Sequence, residues 1–218
     1  DLDGVTGTVH LGNLISSDIS GSDLFIQTAS VITQEAGTAV TIAHNSYLGN
    51  GATSITLGES NNIFAGFVDV QADNASIIAS GNIKLNSGSV INNTLSLKSV
   101  DGGALSVESS GTGAVTVSNG TGGNLGTATA TFETTGTIDF SDADNDFDQV
   151  VIVSADTANI RDTNNLEVGE TTITGSGGTT LTLEAGADLT QTAGSTISNN
   201  RNGAITKLTA ANDSITLA

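Results

Sequence analysis

Short runs in which apolar and polar residues alternate recur along the chain, and this pattern constrains the fold more than any other feature. Residues 55–57 read ITL, residues 95–97 read LSL and residues 181–183 read LTL. Side chains of a β-strand point alternately to opposite faces, so each run predicts a half-buried strand. Glycine, asparagine, aspartate and serine bound the runs, as expected for turns. We find no helical periodicity and expect an all-β fold.

The predicted strands are evenly spaced over part of the chain. Four successive runs begin at intervals of ten residues, at Leu95, Leu105, Val115 and Leu125. Such spacing is compatible with a meander sandwich and with a solenoid that places a strand on each face of every coil. The spacing alone does not separate the two.

An internal repeat favours the solenoid. Residues 55–85 align with residues 138–168 without a gap, and ten of the 31 aligned positions are identical. A second match pairs residues 24–37 with residues 181–194. We therefore predict one solenoid segment over residues 1–218, with repeat units of approximately 24–137 and 138–218. Long repeats with uneven insertions suit a stack in which each coil contacts only its neighbours.

The sequence thus predicts a parallel β-solenoid, an elongated rod. At roughly 20 residues per coil, the chain would form about ten coils. The composition agrees with this prediction, because the chain has 27 glycines, no proline and only 3% aromatic residues. Small side chains fit a narrow interior, and a proline would remove a hydrogen bond between coils.

Three motifs resemble a known group of proteins. They are NDF at residues 145–147, TNNLEVG at 163–169 and DLTQTAGSTI at 188–197. They are similar to the stalk repeats of filamentous haemagglutinin-like bacterial adhesins and related giant exoproteins. The resemblance implies a right-handed parallel β-helix that is exported and displayed at, or shed from, the cell surface. The secretion domain of that family carries Asn-Pro motifs, so we expect a proline-free chain to be a stalk segment of a longer protein.

Net charge and composition exclude several partners. The formal net charge is −18, with 23 acidic residues against five lysines and arginines. Nucleic-acid binding needs clustered basic residues, so we expect none. The apolar run at residues 150–153 is far shorter than the roughly 20 residues of a membrane span, so we expect no membrane insertion. The absence of cysteine excludes disulfides and thiolate metal sites.

An acidic turn is the main candidate site. Its alternating carboxylates are those of Asp142, Asp144, Asp146 and Asp148. Oxygen ligands alternate in this way in loops that bind calcium, although the glycine and glutamate of an EF-hand loop are missing here. The equivalent positions of the first repeat hold Asn61, Ile63 and Ala65 in place of the last three aspartates. A solvated acidic turn is therefore the alternative interpretation.

Two residue types persist in both copies of this turn. Asn62 corresponds to Asn145, and Phe64 corresponds to Phe147. We predict that the asparagines form the turn and that the phenylalanines anchor it in the core.

Other candidate sites are weaker. Asp142 and Asp144 could act as catalytic carboxylates with Arg161, but His10 and His44 lack an obvious nucleophile or orienting partner, and we expect no enzyme. Threonine runs such as residues 127–131 do not recur at every coil interval, so we expect no planar ice-binding array. Glycosylation sequons begin at Asn74, Asn92, Asn119 and Asn212.

The sequence and the resemblance together favour a structural function. We expect a rigid stalk or filament-forming segment of an exported bacterial adhesin, located outside the cell. Its partners would be further copies of itself and a host or neighbouring cell surface, and it would need no cofactor apart from calcium at the acidic turn. The alternatives are a polysaccharide-binding or polysaccharide-cleaving β-helix and a calcium-stabilised extracellular assembly module.

Overall fold

The computed structural model describes most of the chain as β-strand and turn. The described residues are 7–16, 23–27, 30–107, 115–118, 127–174, 181–199, 204–211 and 213–218. No helix occurs in these ranges, and hence none there is long and apolar enough to cross a membrane. The all-β prediction is confirmed.

The described ranges contain 23 strands, numbered here in chain order. They are β1 Thr8–Leu11, β2 Leu14–Ser16, β3 Leu24–Ile26, β4 Val31–Gln34, β5 Val40–Ile42, β6 Ser46–Leu57, β7 Ile63–Phe64, β8 Phe67–Ala79, β9 Ile83–Leu85, β10 Val90–Ser99, β11 Leu105–Val107, β12 Thr116–Val117, β13 Thr129–Glu133, β14 Thr137–Phe140, β15 Asp146–Phe147, β16 Gln149–Ala155, β17 Thr157–Asp162, β18 Leu166–Ile173, β19 Leu181–Ala185, β20 Leu189–Gln191, β21 Ile197–Asn199, β22 Thr206–Ala210 and β23 Ile215–Thr216.

All the described strand pairings are parallel, and they stack the strands into columns. The longest column is here called the long column. The whole of β1, β4, β13, β16 and β21 belongs to it, together with the second halves of β6, β8 and β10 and the end of β18. A second column joins β9, β11, β14, β17, β19 and β22. This arrangement is a β-solenoid, as predicted from the alternation and the repeat.

The solenoid has about eight turns rather than about ten. Coil length varies, which explains the smaller number. Asn74 and Thr94 lie on neighbouring coils and are 20 residues apart. Lys98 and Glu133 also lie on neighbouring coils, but they are 35 residues apart. The strand pairing between β10 and β13 keeps its register across this longer interval.

One buried apolar cluster extends through the described coils, from Val9 in β1 to Leu189 in β20. Its members stack in register. In the long column, Ile32 of one coil pairs with Ile55 of the next, and Ile55 pairs with Ala75. The inward positions alternate with exposed or half-buried ones along each strand. The strand period of two therefore places the apolar residues of every coil in one continuous core.

Glycines allow some turns to pack backbone against backbone. A Cβ atom added to Gly103 would lie 2.1 Å from the carbonyl carbon of Gly81 on the coil below. A Cβ atom on Gly136 would lie 2.2 Å from the carbonyl oxygen of Gly102. Because the obstacle is backbone, no side-chain rotation can relieve such a contact.

The close approach at Gly103 predicts a large effect of one methyl group. We expect Gly103→Ala to lower the free energy of unfolding by about 2–4 kcal/mol, because the two turns must separate. Gly58→Ala is the matched control, since an added Cβ atom there meets nothing within 4 Å. Denaturant unfolding followed by circular dichroism measures both variants. Equal stability of the two would show that the turns do not pack this closely.

Candidate functional site

The acidic turn connects β14 to β15 and is held mainly by hydrogen bonds to backbone groups. The backbone N–H of Asn145 donates to the carbonyl oxygen of Asp142 at 3.4 Å, and the N–H of Asp144 donates to Oδ1 of Asp142 at 3.0 Å. Asp142 thus uses its carboxylate within its own turn. A side chain that bonds to the backbone two residues later is a usual way for aspartate to form a turn.

The other carboxylates contact different parts of the solenoid. Oδ1 of Asp146 accepts a hydrogen bond from Nδ2 of Asn164 at 3.0 Å, and Oδ2 of Asp148 accepts one from the backbone N–H of Ala128 at 3.1 Å. Asp144 is exposed. Among the described residues, no group of three or more histidine, aspartate and glutamate side chains converges as metal ligands would. The calcium site at Asp142, Asp144, Asp146 and Asp148 stays a prediction.

Asn62 and Asn145 are fully buried and act as hydrogen-bond centres between coils. Oδ1 of Asn62 accepts the backbone N–H of Val40 at 2.9 Å, and Oδ1 of Asn145 accepts that of Val115 at 3.2 Å. Their amides donate to the carbonyl oxygens of Ile78 at 3.1 Å and of Phe140 at 3.0 Å, respectively. Each asparagine therefore satisfies a donor and an acceptor of the backbone inside the solenoid.

The backbone bonds of the two turns correspond as the sequence repeat predicts. The N–H of Asn62 donates to the carbonyl of Glu59, as that of Asn145 does to the carbonyl of Asp142. The carbonyl of Asn62 accepts the N–H of Ser80, and that of Asn145 accepts the N–H of Thr163, each at 2.8 Å. The repeat thus conserves a hydrogen-bond scheme as well as a sequence.

The two phenylalanines of the repeat lie in the core, Phe64 with 4% and Phe147 with 0% of its surface exposed. Around Phe147 the core is aromatic. The rings of Phe132 and Phe140 stack with centroids 4.7 Å apart, and Phe147 meets both edge-on. Edge-to-face and stacked contacts of this kind add to the stabilisation from apolar burial. Phe140 and Phe147 lie on either side of the acidic turn, so this cluster anchors both of its ends.

Asp162 is the functional group that the sequence reasoning missed. It is 2% exposed, and its two carboxylate oxygens accept the backbone N–H groups of Phe147 at 2.6 Å and of Asn164 at 2.7 Å. Burial raises its pKa to about 7, against the lowering effect of these two hydrogen bonds. The charges of Asp146 and Asp148 raise it further. In the repeat alignment Asp162 corresponds to Ala79, which is buried. This correspondence could have predicted that Asp162 points into the core.

Two of the residues considered for catalysis have partners that the sequence analysis did not predict. Nε of Arg161 contacts Oε1 of Glu184 at 3.1 Å rather than an aspartate of the acidic turn. His44 does have a partner, because its Nδ1 lies 2.6 Å from Oδ1 of Asp23, which also accepts the N–H of Asn45 at 3.0 Å. This pair links two turns, and no local pattern predicts it because the residues are 21 positions apart.

Two of the four sequons can be placed. The amide of Asn74 donates to the carbonyl of Thr53 at 3.1 Å, and that of Asn92 donates to Oδ1 of Asp73 at 2.9 Å. The sequons at Asn119 and Asn212 lie outside the described residues.

Comparison with known proteins gives one match. A family model described as repeats of unknown function (DUF5649) matches residues 3–71. No curated protein and no solved structure gives a significant match. The match and the stacked coils together identify a repeat protein with a solenoid fold.

Substitution of Asn62 and Asn145 tests how much their buried hydrogen bonds stabilise the fold. We expect Asn62→Ala and Asn145→Ala each to lower the free energy of unfolding by about 2–3 kcal/mol, because each leaves a buried N–H and a buried carbonyl unpaired. Asn61→Ala, at the exposed neighbouring position, should change stability by less than about 0.5 kcal/mol. Denaturant titrations provide the comparison, and a small effect at Asn62 and Asn145 would contradict the assigned role.

The raised pKa of Asp162 predicts that the stability of the protein depends on pH. Its pKa is about 7 in the folded protein and near the ordinary aspartate value of 3.8 in the unfolded chain, so the folded state binds the proton more tightly. The contribution of Asp162 to stability is therefore fully present below pH 4 and is lost as the pH rises towards 7. Relative to Asp162→Ala, the wild type should lose up to about 4 kcal/mol over this range.

Titration of the carboxyl carbon by NMR checks the same group directly. We expect a midpoint near pH 7 for Asp162. A midpoint near 4, with a pH-independent stability difference between wild type and variant, would refute the raised pKa.

Proposed function

We propose that this chain is a rigid structural segment, a stalk or filament-forming spacer of an exported bacterial surface adhesin. The observation that carries the proposal is the continuity of the stack. A single buried cluster extends from Val9 to Leu189, and each coil is hydrogen-bonded to its neighbours through parallel strands. Such a stack transmits force along its axis through many backbone hydrogen bonds, and its length grows with each repeat added.

The exterior supports a role at high local concentration. The chain carries a net charge of −18, and like-charged rods repel one another at short range. We propose that this charge keeps neighbouring rods soluble and separate, while self-association depends on less charged surfaces. The partners would be further copies of the protein and the surface of a host or neighbouring cell.

The proposed extracellular location comes from the resemblance to filamentous haemagglutinin-like stalk repeats. The motifs that carry it lie on the structural framework. Residues 145–147 contribute the buried turn and β15, residues 163–169 begin β18, and residues 188–197 contain β20. These motifs therefore contribute strands and a buried turn to the stack itself.

Two measurements test this function. Small-angle scattering of the purified chain should give a rod whose axial length is about 40 Å over the described turns, at ~4.8 Å per coil. Antibodies raised against the chain should label intact cells that produce the full-length protein, and protease added outside should remove the signal. Labelling only after cell lysis would contradict export, and a compact spherical scattering profile would contradict the spacer.

A further inference from the structure

Strand β6 contains a bulge at residues 49–51, which read Gly-Asn-Gly. Leu48 pairs with Val70 of β8, and the pairing resumes only at Ala52, which pairs with Ala72. Three residues of β6 therefore lie opposite one residue of β8. On the preceding coil, the pairing with β3 ends at Leu48, and the pairing with β4 begins two residues after Ala52. The described strand pairings thus omit all three residues of the bulge.

Both glycines of the bulge have a left-handed backbone conformation. Gly49 has a φ of 79° and Gly51 has a φ of 84°. A Cβ atom on Gly49 would lie 2.4 Å from the carbonyl oxygen of Gln71, so this glycine packs against the next coil. Gly51 differs, because a Cβ atom there would meet nothing within 4 Å. Gly51 therefore borders open space.

Asn50 lies between the two glycines and is exposed. Its side chain makes no hydrogen bond to any of the described residues. Asn45, five residues earlier, provides a contrast. Its Oδ1 accepts the backbone N–H of Phe67 at 3.2 Å, and the following residue, Ser46, is fully buried. The amide of Asn50 is therefore free to rotate towards its own backbone, whereas that of Asn45 is held.

An asparagine that precedes a glycine can react with its own backbone. The backbone nitrogen of Gly51 attacks Cγ of Asn50, and a five-membered succinimide ring forms as the bond between Cγ and Nδ2 breaks. The proton of the backbone amide leaves with Nδ2 as ammonia. Water then opens the ring at one of its two carbonyl groups and gives aspartate or isoaspartate. Glycine favours the first step because it has no Cβ atom to hinder the attack.

We propose that Asn50 is a deamidation site of the folded protein. Ring closure requires the backbone at Asn50 and Gly51 to rotate, and no described strand pairing has to break for this rotation. Isoaspartate lengthens the backbone by one methylene group, which a bulge accommodates more readily than a paired strand. The product adds one negative charge to the formal −18 of the chain. Deamidated protein therefore accumulates as intact, more acidic rods.

Peptide mapping by mass spectrometry tests the proposal while the folded protein is incubated in mildly alkaline buffer. The mapping has to resolve single sites, because Asn119 and Asn202 also precede glycine and lie outside the described residues. We expect Asn50 to convert at a rate within about tenfold of that in a synthetic peptide of residues 46–55. Asn45 should stay unchanged over the same period.

The variant Asn50→Gln is the control for the site. Its longer side chain would have to close a six-membered ring, which forms far more slowly. Isoaspartate and the added charge should therefore disappear at this position, while the circular dichroism spectrum and melt stay those of the wild type. Detection of isoaspartate by enzymatic methylation provides a second readout.

The variant Gly103→Ala separates reaction of the folded bulge from reaction after unfolding. Gly103 follows β10, two coils beyond β6, and its substitution should destabilise the stack without touching the bulge. We expect its rate at Asn50 to equal that of the wild type. A reaction that requires unfolding would instead accelerate with the unfolded fraction, by about thirtyfold or more. A sub-denaturing concentration of urea applies the same test to the wild type.

Either of two results would overturn the proposal. One is acceleration by Gly103→Ala or by urea, which would assign the reaction to the unfolded chain. The other is conversion of Asn50 that is more than about tenfold slower in the folded protein than in the peptide, because the bulge would then protect the site as a paired strand does.

Discussion

The parallel hydrogen-bond ladder between successive coils is the constraint on which the rest of the structure depends. It fixes which residues of neighbouring coils lie side by side, and hence which side chains stack inside and which stack outside. The pairing of Ile32, Ile55 and Ala75 illustrates the inside, and that of Thr33, Thr56 and Ser76 illustrates the outside. Because each coil is paired in the same way, insertions change the perimeter of a coil without disturbing its neighbours.

Some backbone groups in the turns make no hydrogen bond in the ladder between coils. Buried polar side chains form hydrogen bonds with several of these groups. Asn62 and Asn145 each accept one backbone N–H and donate to one carbonyl, and Asp162 accepts two N–H groups. A neutral amide can be buried at little cost once paired, whereas a carboxylate resists burial. The raised pKa of Asp162 is the consequence of using a carboxyl group for this purpose. The chemistry of the interior is thus structural, which agrees with the proposed spacer function.

The sequence predicted those features that depend on local period and on repetition. The strands and the solenoid followed from alternation and from one alignment, as did the burial of Phe64 and Phe147. The number of turns did not, because it depends on coil lengths that only the pairing of distant strands determines. The burial of Asp162 was missed for another reason. Its charge suggested an exposed position, although it aligns in the repeat with Ala79, which is buried.

Oxidative cross-linking of introduced cysteines tests the strand register most directly, because the native chain contains no cysteine. Ser96 and Thr131 pair across the longest coil, so a variant with cysteine at both positions should form an intramolecular disulfide rapidly. A variant with cysteines at Ser76 and Thr131, which are two coils apart, should remain reduced under the same conditions. The account predicts this difference. Equal cross-linking of the two pairs, or none in the first, would contradict the in-register stack.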